Sequence, residues 1–157
     1  MTRLVADLEP NRIVNQVRFY TGVPSLNQNV LWYYFWTSKL QVLQTKGAFV
    51  YRGKINKEEQ EKGVDVKLAV DLIDLAYKNL FDVAIIFSQD TDLIEAFILA
   101  HKICNERGKA ILIESAYPFD PAEKKRGLAY TRWRPIIKSE YDKCLDNREY
   151  RPKHLLK

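Results

Sequence analysis

The sequence is poor in the residues that staple small domains. It has only two cysteines, Cys104 and Cys144, and they share no C-x-x-C spacing, so neither a disulfide framework nor a structural zinc site is expected. Long apolar runs are missing too. The longest, Leu80 to Phe87, is interrupted by Asp82 and is far too short to span a bilayer. The N-terminus shows no charged start, apolar centre and small-residue cleavage site, so no secretory signal is expected and a reducing, cytoplasmic setting is the reading. Repeats and low-complexity stretches are absent, and 46% hydrophobic residues in a chain of 157 suit one globular domain with its own core.

What is present is an uneven charge. Residues 1–117 hold 14 Lys+Arg and 14 Asp+Glu, whereas residues 118–157 hold 11 basic and 6 acidic residues and so carry the whole net charge of +5. That asymmetry suggests that the C-terminal segment meets a polyanion, the alternative being a solvated basic tail. The expected organisation is therefore a domain over 1–117 and a basic extension over 118–157 that packs on it or trails from it. Within the extension, Lys124, Lys125 and Arg126 precede Tyr130, Arg132, Trp133, Arg134 and Lys138. Cations interleaved with aromatics suit single-stranded RNA, because phosphates meet the charges and bases stack on the rings. Packing of Trp133 and Tyr130 onto the core is the competing reading.

Along the chain, Val17 to Gly22 alternates with β-branched and aromatic residues and predicts a strand. Ser25 to Lys46 predicts a long aromatic helix stopped by Gly47, with Leu31, Tyr34, Phe35, Leu40 and Leu43 inward. Ala48 to Tyr51 predicts a short strand, Asn56 to Lys62 a charged loop, and Val64 to Leu80 a helix. Asp82 to Ser88 is apolar on both faces, as a buried parallel strand should be. A helix over Thr91 to Arg107 and a strand over Lys109 to Glu114 come next. The alternation of strands and helices predicts α/β with a parallel sheet.

Parallel sheets bind ligands at the carboxyl ends of their strands. Ser88-Gln89-Asp90-Thr91-Asp92 lies at such an end, where two carboxylates could hold a hard divalent cation; a helix cap is the alternative. On the preceding helix, steps of about 100° from Val64 place Asp65 in the apolar stripe and put Asp71 and Asp74 on the solvent face. An inward carboxylate in a first turn is costly unless a cation or several hydrogen bonds receive it.

Lys62-Gly63-Val64-Asp65-Val66-Lys67-Leu68-Ala69-Val70-Asp71, then Phe81 to Asp92, resembles the NYN domain of the PIN-like nuclease superfamily, whose pattern reads K-G-V-D-x-x-L-x-x-D and then a strand ending S-G-D-x-D. Val17 to Gly22 resembles the family's second strand. The resemblance implies a Rossmann-like, PIN-like parallel sheet flanked by helices. It also implies an endoribonuclease that uses Mg²⁺ or Mn²⁺ to hydrolyse RNA phosphodiesters. Carried over, Asp65, Asp90 and Asp92 form the acidic site: Asp65 and Asp90 anchor the metal, Asp92 orients it or the water, and Ser88 is a nearby hydroxyl. Lys62 at the site's mouth is a candidate phosphate contact. Two departures stand out. Gln89 occupies the family's Gly position, and no strand ending in Asp-Gly-x-Asn precedes Val17. Leu4 to Asp7 is separated from Val17 by only nine residues, too few for a parallel crossover. The expectation is therefore a truncated domain without its first central strand and with impaired activity. The non-enzyme alternative is an inactive RNA-binding or protein-interaction module that keeps the fold. A phosphatase using the D-x-D pair lacks the strand-end nucleophile Asp. RNA is the expected partner and a membrane is not; a homo-oligomer is left open.

Overall fold

The structure is a computed structural model that describes residues 9, 11–123 and 126–152. Lys124 and Lys125 lie outside the described residues, as does the Leu4 to Leu8 segment. The chain is α/β, with parallel sheets flanked by helices. It divides into two compact units, one built on residues 9–68 and 146–152, the other on residues 69–145.

In the first unit β1 (Arg18–Val23) pairs in parallel with β2 (Phe49–Ile55), from Arg18 opposite Phe49 to Val23 opposite Lys54. Parallel neighbours need a crossover, and α1 (Val30–Thr45) supplies it. The helix begins five residues later than its composition suggests. Gln28 N–H donates to the Ser25 carbonyl at 3.0 Å in a turn, and Asn29 then caps the helix by accepting from Trp32 N–H at 3.1 Å. Leu40 is fully buried, Leu31, Phe35 and Leu43 are half-buried, and Tyr34 is exposed. The charged loop is partly ordered: β3 (Glu61–Lys62) pairs antiparallel with the end of β2.

The second unit takes in most of α2 (Val64–Tyr77) and a second sheet. Its strands are β4 (Val83–Ile86), β5 (Leu112–Phe119) and β6 (Arg132–Ile137), all parallel and in that order. A 3₁₀ turn (Thr91–Leu93) and α3 (Ile94–Glu106) connect β4 to β5, and the short α4 (Lys138–Asp142) comes after β6. Phe97, Leu93 and Ile113 are buried completely or nearly so, with Leu72, Ala76, Ala100 and Cys104 around them. The single sheet expected from the sequence is thus, among the described residues, two three-stranded sheets. β1 lies at an edge of one and β4 at an edge of the other. That position explains why all four β4 residues are only half-buried despite their central-strand composition.

β6 comes from the segment read as a basic extension. Its composition, RWRPII, hides it, because Pro135 removes a ladder donor and is tolerated because β6 is an edge strand. What holds it is Glu114 in the middle of β5, with no exposed surface. Arg134 Nε donates to Glu114 Oε2 at 2.6 Å, and Arg132 Nη1 approaches Oε1 at 3.6 Å. Among the described residues, no helix is long and apolar enough to cross a membrane.

A carboxylate with no access to water is costly once its partner is removed. Arg134→Ala is therefore expected to destabilise the protein by about 3–5 kcal/mol. Arg132→Ala, at the exposed end of the same pair, should cost less than about 1 kcal/mol. Urea unfolding midpoints of the two variants check the order; equal losses would refute it.

Candidate functional site

The D-x-D segment forms where β4 ends. Ser88 Oγ accepts the Asp90 N–H at 3.1 Å, and Asp90 Oδ1 accepts the Asp92 N–H at 2.9 Å. Asp90 thereby caps the 3₁₀ turn that leads into α3, and Leu93, 1% exposed, pins that turn to the core. The cap and the cation site read from the sequence involve the same atoms. The cap uses one oxygen of Asp90, and a carboxylate has acceptor capacity beyond one bond. Asp90 is half-buried and Asp92 is exposed, and hydrogen-bonded backbone sets the two residues at a sheet's carboxyl edge.

On α2 the orientation differs from the helical-stripe expectation. Asp65 is exposed, Asp74 is exposed and pairs with Lys78 at 2.8 Å, and Asp71 is buried at 6% exposure. The buried set is Val64, Asp71, Leu72 and Ala76, a stripe rotated by about 40° from the one drawn through Ala69 and Leu80. Leu80 lies beyond the helix end at Tyr77 and is 52% exposed, yet the apolar residues within the helix still bracket Asp65, so the apolar pattern as a whole misplaces the stripe. Asp65 stands in the first turn, after Gly63, whose φ of +77° is a left-handed conformation that favours glycine. Lys62 is exposed, and its Nζ donates to Gln60 at 3.1 Å.

The structure brings Ser88, Asp90 and Asp92 into one turn. Asp65 and Lys62 belong to the other unit. Sequence reasoning missed Asp71, although it completes the K-G-V-D-x-x-L-x-x-D pattern. It also missed Glu61, whose Oε1 accepts from Gly22 N–H at 2.9 Å and from the Thr21 hydroxyl at 3.2 Å. Nothing in a loop of mixed charges marks Glu61 out.

The basic segment is more self-paired than its composition suggests. Arg134 is held by Glu114, Lys138 by Asp142 at 2.6 Å, Arg148 by Asp146 and Arg151 by Glu149. The Arg148 hydrogen bonds, with a lesser one from Tyr150, hold the Asp146 carboxyl well below its usual range, and Arg151 holds Glu149 down to about 2. Trp133 is 47% exposed, with its Nε1 donating to the Leu128 carbonyl at 2.9 Å. Gly127 beside it has no room for a Cβ against the indole and the Ser115 hydroxyl. Trp133 is thus half packed and half available. Arg126 and the outer part of Arg132 are exposed.

As to a metal, Mg²⁺ keeps several waters and takes one or two protein carboxylates plus substrate phosphate oxygens. Asp90 and Asp92 fit that donor chemistry. Among the described residues, no group of three or more His, Cys, Asp or Glu could hold a metal ion.

A family model described as the NYN domain matches residues 2–126, most of the chain. Neither the curated proteins nor the solved structures yield a match.

The cap and the charge of Asp90 are separable. Asn caps as well as Asp, whereas Ala does not cap, so Asp90→Ala should lose about 1 kcal/mol and Asp90→Asn only a few tenths. Thermal unfolding of both variants measures this. If Asp90→Asn is the less stable, the carboxylate has a structural partner other than the cap.

Proposed function

The chain belongs to the NYN family of nuclease-like, RNA-related domains, and on that premise we propose that it hydrolyses RNA phosphodiester bonds with a divalent cation, Mg²⁺ or Mn²⁺, at Asp90 and Asp92. The observation that carries this reading is the hydrogen-bonded Ser88-Asp90-Asp92 turn at the carboxyl end of a parallel strand, where α/β sheets take their ligands. NYN domains generally use divalent metals. When bound, the cation supplies a water of lowered pKa and neutralises charge developing on the phosphate.

The chain's own groups have defined parts in this proposal. Asp90 would hold the cation while it caps the turn, and Asp92 would orient the cation's water. Ser88 keeps the Asp90 backbone in place through its 3.1 Å bond. Asp65 enters through the family motif alone, and Asp71 through its burial on the same helix. Arg126, the exposed part of Arg132, Lys62, Lys124 and Lys125 are the candidate phosphate contacts, and Trp133 is a candidate stacking ring. Arg134 is retained as the partner of Glu114, which places it behind the contacting groups.

The test is cleavage of single-stranded RNA with Mn²⁺ by the wild-type chain and by Asp90→Asn, Asp65→Asn and Asp71→Asn. Several kcal/mol of charge stabilisation act through the metal, so Asp90→Asn should lose on the order of 100-fold or more in rate while its unfolding temperature holds. Cleavage that persists in Asp90→Asn would refute the assignment. RNA binding by every protein with cleavage by none would assign the chain to the class of binding modules.

A further inference from the structure

Beside the D-x-D turn, within the second unit, lies a cleft of about 330 Å³. Phe87, Ser88 and Gln89, from the end of β4, form one wall. Tyr117 of β5 forms the floor, and Ile136 of β6 with Tyr141 of α4 forms the opposite wall. A wider depression of about 470 Å³ lies along α3, near His101 and Tyr130, but it is not at the strand ends.

Three features of the cleft bear on its occupant. Its volume is at the low end of the roughly 300–1,000 Å³ typical of small-molecule pockets, which suits a single ring system. Its aromatic residues have no ring partner, like the other described rings of the second unit. Phe87 and Tyr141 are 45% and 52% exposed, and among the described residues neither ring, nor that of Tyr117, pairs with another ring. The rings of the first unit, by contrast, mostly pack on one another, as Trp32 does on Phe35 and Phe35 on Tyr150. Finally, the polar side chains of the lining are neutral. Ser88 offers a hydroxyl, and Gln89 donates its Nε2 to the carbonyl of the exposed Arg126 at 3.3 Å. Apolar ring faces with an amide and a hydroxyl beside them match a heterocyclic base.

We propose that this cleft takes one unpaired nucleobase of a single-stranded RNA, stacked against Phe87 and Tyr141, with Gln89 and Ser88 meeting its polar edge. The proposal rests on the ribonuclease reading for its choice of RNA and goes beyond it, because Ile136 and Tyr141 lie outside the residues matched by the family model. The base so held belongs to a nucleotide next to the one whose phosphate meets Asp90 and Asp92. Duplex RNA, with its bases stacked and paired, is excluded.

The experiment measures binding in EDTA, which stops metal-dependent cleavage, by anisotropy of a labelled uridine octamer. The comparisons are an octamer with abasic sites, a duplex, and the wild-type, Tyr141→Ala and Tyr141→Phe chains. One stacked base accounts for about a tenfold difference in affinity. The expected result is wild-type preference for the octamer over its abasic counterpart by about that factor, lost in Tyr141→Ala and retained in Tyr141→Phe. A 2-aminopurine in the octamer should be quenched by wild type and less by Tyr141→Ala. Equal binding of abasic and base-bearing octamers, unchanged affinity in Tyr141→Ala, or no binding by wild type would each overturn the proposal, with an apolar peptide side chain the remaining occupant. A chain that binds in this base-dependent way but never cleaves would sink the nuclease reading and leave the cleft standing.

Discussion

A carboxylate without solvent access organises the second unit. Glu114 sits in the middle of β5, and its ionised form is sustained only where a cation comes to it. Arg134 meets that demand, which draws RWRPII into the sheet as β6 and sets its register, Ala116 opposite Arg134 and Pro118 opposite Ile136. That register fixes the positions of the residues beyond it. Ile136 reaches the cleft wall, α4 starts at Lys138, and Tyr141 comes to stand across from Phe87. The ion pair takes no part in the proposed chemistry. It is the reason the groups proposed for RNA are where they are.

Much of this was legible in the sequence, for physical reasons that can be named. β1 and β4 declare themselves by β-branched and aromatic runs bounded by turn residues, and the D-x-D turn by its position after the more apolar of them, whereas β5 runs from Leu112 to Phe119, well past the strand read over Lys109 to Glu114. β6 was illegible because its two arginines, tryptophan and proline read as a nucleic-acid tail; the buried acid that recruits one of those arginines lies 20 residues upstream. The site was legible in its β4 part, where strand end and helix start coincide. It was misjudged on α2, because the apolar residues of the helix bracket Asp65, whereas the structure buries Asp71 outside their stripe and leaves Asp65 exposed.

The turn at Asp90 shows that a structural and a chemical role can share one side chain. Its cap bond fixes the backbone of the residue that carries the second carboxylate and holds one oxygen of Asp90, so the Asp90 side chain is placed before any ligand arrives. Side chains held this way lose little freedom on engaging a ligand, which is the general advantage of preorganised polar groups. A pair of mobile surface carboxylates of the same charge would lack it.

Pro135 gives the second sheet a self-limiting border. Among the described residues β6 is an edge, and Pro135 within it has no N–H to offer a further strand, which disfavours edge-to-edge pairing. The residue that disguises β6 in the sequence thus also guards against fibrous association. The edge carrying the cleft's outer wall can stay open to solvent, and to a flexible chain without a β-ladder of its own, while it resists lamination by other copies of itself.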